Sequence, residues 1–143
     1  MNLTEQIVRE ARLLIGIPYR HLGRDVFGLD CLGVVLATFK SVGIIPIDVD
    51  FTDYSQNVAD YELERHLNAT PYFGRLSHWS EAQPGDILLQ RFHVALPASH
   101  LRIVTIREGE NLWAVHAGRR GVVEQRVVHL ERNVAAYRLK EVA

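Results

Sequence analysis

The spacing of apolar residues changes character once along this chain, and that change limits the fold more than any other feature. Ahead of residue 70 the apolar positions recur at helical spacing. From Asp86 onward they fall in short strand-length blocks separated by turns. Leu3, Ile7, Ala11, Leu14 and Ile15 predict a first helix that runs to about Ile15 and ends at Gly16 and Pro18, with Asn2 and Glu5 resembling a capping box. The run from Cys31 to Gly43 predicts a largely buried helix, with Asp30 as its N-cap and Gly43 as its stop. A short exposed helix is expected over 58–67. Loops are expected over 19–30 and 70–85, and irregular chain over 44–55. Strands are predicted at 87–92, 101–106, 112–116, 122–128 and 135–140, with turns at 107–111 and 117–121. Helices first and a strand meander second predict an α+β fold, with N-terminal helices packed on a C-terminal antiparallel sheet of about five strands. With 143 residues and no repeat, linker or low-complexity stretch, residues 1–143 read as a single domain.

Composition narrows the partners. Hydrophobic residues make up 48% and charged residues 23%, a balance that supports a packed core. A net charge of -1 gives no reason to propose nucleic acid or an anionic membrane surface. No apolar run is long enough to span a bilayer. The segment Met1-Asn2-Leu3-Thr4-Glu5-Gln6 lacks the basic start and apolar run of a signal peptide. The expectation is a chain made in the cytoplasm without a signal peptide, which reaches any wall substrate by another delivery route.

Cys31 is the one cysteine, so neither an internal disulfide nor a thiolate zinc site can form. Its place in the first turn of a predicted helix is chemically favourable. Helix N–H groups and the helix dipole stabilise an anion there and lower a thiol pKa, and neighbouring N–H groups can hold an oxyanion. Gly28 and Gly33 are expected to leave room for a substrate beside the backbone. The plain alternative is a small buried hydrophobe, the common state of a free cysteine.

A cysteine nucleophile needs a base, and the base needs an orienting partner. Of seven histidines, His66 and His129 lie in charged surroundings, His78 lies in an aromatic loop and His21 precedes the cysteine. His100 opens one predicted strand and His116 closes the next, so a hairpin brings them together at one edge of the sheet. His93 is the rival base. Pro97 interrupts the run that follows it, and choosing it forfeits the pairing with His116.

These residues carry a family resemblance. Gly16-Ile-Pro-Tyr19, Gly23 and Gly28-Leu-Asp-Cys-Leu-Gly33 resemble the signature of the NlpC-type cell-wall cysteine peptidases, which are papain-like. Pro84-Gly-Asp86, Ser99-His100-Leu-Arg-Ile-Val104 and Val115-His116-Ala117 resemble that family's entry strand, base-bearing strand and third polar position. The resemblance implies Cys31 as nucleophile, His100 as base and His116 as orienter, with Tyr19 and Asp30 lining the substrate site and able to bind the free amine of a short stem peptide. It implies hydrolysis of a peptidoglycan stem-peptide amide, commonly between D-glutamate and the diamino acid, with no cofactor and no metal. The loop Gly23-Arg-Asp-Val-Phe-Gly-Leu-Asp-Cys31 and Asp53-Tyr-Ser55 resemble the versions found in phage tails and gene-transfer particles, which makes tail proteins candidate partners and the cell wall the expected place of action.

Three positions depart from the family pattern. Leu32 stands where serine is common, Arg102 where glycine is usual, and His21 where tryptophan is often found. Three other readings stay open. They are an amidase or acyltransferase using the same Cys and His, a non-catalytic tail or wall-binding module, and a zinc site from His93, His100 and His116.

Overall fold

A computed structural model of the chain describes residues 1–55 and 61–140. Helix α1 (Leu3–Leu13) is capped by the Asn2 side chain, which accepts from the Glu5 N–H at 2.8 Å. It buries Ile7, Val8 and Ala11 and leaves its charged residues in water. A two-stranded ribbon follows, β1 (Arg24–Asp25) and β2 (Gly28–Leu29), inside the stretch expected to be loop. Helix α2 (Cys31–Ser41) starts at the predicted residue and is buried almost all round, as its apolar sequence requires. Helix α3 (Glu62–Ala69) overlaps the short helix expected over 58–67, whose first residues, Val58, Ala59 and Asp60, lie outside the described residues.

The C-terminal half forms a six-stranded antiparallel sheet rather than a sheet of about five. Its strands are β3 (Phe73–Arg75), β4 (Ile87–Gln90), β5 (His100–Glu108), β6 (Asn111–Gly118), β7 (Gly121–Arg126) and β8 (Asn133–Leu139), in spatial order β3-β8-β4-β5-β6-β7. The strand beyond the expected five is β3. Three residues with a central glycine carry no periodic signal, and the segment is held by long-range pairing of Phe73 with Leu139 at the sheet edge. The architecture is α+β, with α1 and α2 packed together on one face of the sheet.

That face is the main core. Ile87, Leu89, Leu101, Ile103, Val115 and Tyr137 meet Val34, Val35 and Phe39 of α2. The opposite face has two halves. Leu88, Val104, Leu112 and Ala114 form a smaller apolar cluster under Trp79. Toward the start of β5 the same face turns polar and carries His100, Arg102, His116 and Gln125.

A β-bulge decides which residues share that polar end. Near the hairpin turn, Ile106 lies opposite Trp113 and Arg107 opposite Leu112. Beyond the bulge, Val104 lies opposite Ala114 and Ile103 opposite Val115. Thr105 is the extra residue, and its hydroxyl donates to the Trp113 carbonyl at 3.2 Å. Were Thr105 paired in the register set at the turn, Ile103 would lie opposite His116, and His100 would face the helices instead. Among the described residues no helix is long and apolar enough to cross a membrane.

Candidate active site

The structure gathers Tyr19, Asp30, Cys31, His100 and His116 around one cleft of about 720 Å³, which Tyr54, Phe92, Arg102 and Arg119 also line. The cleft lies where the first turn of α2 meets the first residues of β5. Cys31 lines this cleft and, as a residue, keeps 9% exposure.

The sheet wall of the cleft is a chain of neutral hydrogen bonds. His100 Nε2 lies 2.8 Å from His116 Nδ1, and the rings meet edge to face at 89°. His116 Nε2 lies 2.8 Å from Gln125 Oε1. An amide oxygen only accepts, so the His116 proton sits on Nε2. Its Nδ1 is then a lone pair, which accepts the N–H at His100 Nε2. That leaves His100 Nδ1 unprotonated, the form a general base needs. Burial supports this assignment. It depresses the His116 pKa to about 4 with help from the Arg102 charge, while the Gln125 bond pulls weakly the other way. Burial likewise holds His100 well below the ordinary histidine range, with Arg102 and then His116 adding to the effect.

The helix wall is built from charges that are paired with one another. Asp30 Oδ1 accepts from the Gly33 N–H and from Arg24 Nη1, both at 2.8 Å. Its Oδ2 accepts from the Leu22 N–H at 2.9 Å and from the Tyr54 hydroxyl. Arg24 also donates to Asp50, the Gly23 carbonyl, the Phe51 carbonyl and the Tyr54 oxygen, so both ends of its guanidinium are engaged. Asp30 is thus the helix cap and the anchor of the loop before it. A substrate amine at this carboxylate would have to displace one of four existing partners. Tyr19 lines the cleft beside a single parallel bridge to Leu29.

Two expectations are corrected. The thiol is not activated at rest. Burial pushes the Cys31 pKa up to about 12 and the adjacent Asp30 carboxylate adds to the rise, while backbone hydrogen bonds from Leu101 and Leu32 and the Arg24 charge offset only part of it. A helix N-terminus stabilises a thiolate by about 0.3–1 kcal/mol at an exposed site, too little against desolvation and a neighbouring anion. The glycines do not leave room for substrate either. A Cβ on Gly33 would lie 2.3 Å from the Gly23 carbonyl oxygen, and one on Gly28 would lie 2.3 Å from the Arg20 Cβ. The chain's own loop takes that space and pins itself to α2.

His93 sits apart from this arrangement. It is exposed, caps its own turn by accepting from the Ala95 N–H at 3.1 Å, and does not join His100 and His116. Gln125, Arg24 and Tyr54 were not foreseen. Gln125 shares the period-2 face of β7 with Val123, but only the pairing of Val123 with His116 brings it to the histidines. Arg24 and Tyr54 reach Asp30 across loops with no local signal.

No protein-family model and no curated protein sequence matches the chain. Solved structures do. The NlpC/p60 domain of the peptidoglycan hydrolase SagA matches with a TM-score of 0.62 at 21% identity, over 95% of this chain and 97% of that one. An NlpC/p60 family protein from Bacillus cereus matches with a TM-score of 0.63 at 22% identity, over 96% of this chain, which spans 40% of that protein. An N-acetylmuramoyl-L-alanine amidase from Bacteroides uniformis matches with a TM-score of 0.58 at 12% identity, over 96% and 99% of the two chains. At these identities the likeness establishes the fold: the α+β, papain-like arrangement of the NlpC/p60 domains.

Proposed function

We propose that this protein is a cysteine peptidase that hydrolyses a peptidoglycan stem-peptide amide of the γ-D-glutamyl–diamino acid type. The observation that carries this reading is the hydrogen-bonded series Gln125, His116, His100, which prepares an unprotonated imidazole nitrogen in the cleft that Cys31 lines. The sharing of this fold with NlpC/p60 domains, among them that of a peptidoglycan hydrolase, supports the choice of substrate.

In this reading the ground state is a neutral thiol beside a neutral imidazole. His100 Nδ1 takes the Sγ proton as sulfur attacks the amide carbonyl carbon. The N–H of Gly33 is committed to Asp30 Oδ1 and that of Val34 to the Asp30 carbonyl, so we assign the developing oxyanion to the N–H of Cys31. The C–N bond then breaks, His100 returns its proton to the leaving amine, and a thioester remains. Water, losing its proton to His100, cleaves the thioester and restores the thiol. His116 holds the His100 tautomer throughout.

A second reading, cleavage of the muramoyl–alanine amide by the same residues, is favoured by the match to the Bacteroides uniformis amidase. Mass analysis of products from defined muropeptides separates the two. Cys31→Ala is expected to abolish turnover of whichever amide is cut, and unchanged turnover in that variant rejects thiol chemistry and both readings together. Attachment to a phage tail or tail-like particle rests on the resemblance of residues 23–31 and 53–55 to tail-borne versions. Detection of the protein in purified particles tests it.

A further inference from the structure

Arg102 is a cation of the cleft wall that the fold holds against neutral groups only. It lies on β5 two residues from His100, on the same face of the strand and roughly 7 Å along it. Its Nε donates to Gln90 Oε1, a neutral partner, while its Nη1 is buried without any hydrogen-bond partner. None of the ion pairs among the described residues includes it. The acid of the cleft, Asp30, is already held by Arg24. The other charged residue on the lining is Arg119, so the open charge of the cleft is positive. A half-buried guanidinium facing neutral imidazoles is costly unless a ligand completes it, and burial alone draws its pKa down to about 10.

We propose that Arg102 forms an anion subsite that takes the free α-carboxylate of the γ-linked glutamyl residue on the acyl side of the scissile amide. This rests on the peptidase reading above and adds a specificity determinant to it. A γ-glutamyl amide is made through the side chain, so its α-carboxylate stays ionised a few bonds from the carbonyl under attack. An arginine fork matches a carboxylate in both shape and charge, and a neutral α-amide offers it one oxygen and no charge. Arg102 therefore separates stem peptides with a free α-carboxylate from those whose glutamyl residue is α-amidated.

The test is calorimetric binding of L-alanyl-γ-D-glutamyl-diamino acid tripeptides to the full-length Cys31→Ala protein, with and without Arg102→Gln. The expected result is affinity for the α-carboxylate form at least about tenfold above that for the α-amide form. In Arg102→Gln the ratio should fall to near one. Arg102→Lys keeps the charge without the fork, retains part of the preference, and replaces the glutamine variant if that one melts early. Amidating the diamino residue's carboxylate instead should leave the affinity unchanged. Equal affinity for the two glutamyl forms, failure of both to bind, survival of the preference in Arg102→Gln, or dependence on the diamino carboxylate each overturns the subsite. Hydrolysis is read separately on the wild type: absence of cleavage of either form removes the peptidase reading, while the binding ratio alone decides the role of Arg102.

Discussion

The two walls of the cleft are built on opposite electrostatic plans. On the helix side, Asp30, Arg24, Asp50 and Tyr54 form a closed set in which each charge meets a counter-charge or a hydroxyl. On the sheet side, His100, His116, Gln125 and Gln90 are neutral, and the charge of Arg102 is unmatched. A closed set resists change and holds position, which suits a wall that carries the proposed nucleophile. An open, neutral set responds to protons and ligands, which suits a wall proposed to move a proton. Burial sets the pKa pattern and the contrast sharpens it: Asp30 adds to the rise of the thiol and Arg102 to the fall of the imidazoles, both in the direction of uncharged groups.

The largest effect should come from breaking the closed wall. Asp30→Ala leaves the Arg24 guanidinium without its buried partner and removes the α2 cap, which costs on the order of 3–5 kcal/mol of stability. Denaturant unfolding reads this directly, and a loss under about 1 kcal/mol would mean the set is not closed. The open wall should be sensitive to acid. The unfolded chain binds protons at these histidines below about pH 6.5, the ordinary value, whereas folded His116 does so only near pH 4. Stability is therefore whole above pH 6.5 and falls as the pH drops toward 4, by about 3 kcal/mol from His116. His116→Asn should flatten that slope when unfolding free energies at pH 7 and pH 4.5 are compared.

Next comes Gln125. Gln125→Leu lets the His116 tautomer exchange and should lower kcat about tenfold, near 1.4 kcal/mol, with KM and the melting temperature little changed. Gln125→Glu favours a charged His116 and should move the acid limb of the pH–rate profile upward, a shift that a purely structural residue would not cause. In the wild type that limb should lie well below pH 6.5. The alkylation rate of Cys31 should still be climbing past the free-thiol pKa of about 8.5; a plateau near neutrality would show a resting thiolate instead. The smallest effect belongs to a pair outside both walls. Arg12 and Glu124 join α1 to β7 at 3.0 Å with the arginine well exposed, and Arg12→Ala should cost at most about 1 kcal/mol.

What the sequence made legible was what neighbours in the chain determine. Asp30 capping α2 at Gly33, with Cys31 in the first turn, depends on a few consecutive residues and could be read directly. So could the strand blocks from Ile87 onward, because alternation and turn residues are local signals. What depends on residues far apart was legible only where a short hairpin joins them, as at His100 and His116. The Arg24–Asp30–Tyr54 set joins positions 6 and 24 residues distant from Asp30. β3 exists through its pairing with β8. The roles of Gly28 and Gly33 were misjudged because an empty Cβ position does not say whether a substrate or the chain itself fills it. The thiol was misjudged because the dipole of its helix is local, while the burial that outweighs it comes from the whole fold.

The extra residue at Thr105 lets β5 keep one register at its turn and another at the cleft. Substitutions along this strand can alter what each position presents, but none can move His100 from one side of the sheet to the other. An unbroken ladder counted from the Ile106–Trp113 pair would do so, placing Thr105 opposite Ala114 and Ile103 opposite His116, sending His100 and Arg102 in among the leucines under α2 and pushing Leu101 and Ile103 out toward the cleft. Deleting Thr105 alone, by contrast, leaves Val104 opposite Ala114 and His100 on its present side, so this strand can give up one residue at that point and at no other without turning over.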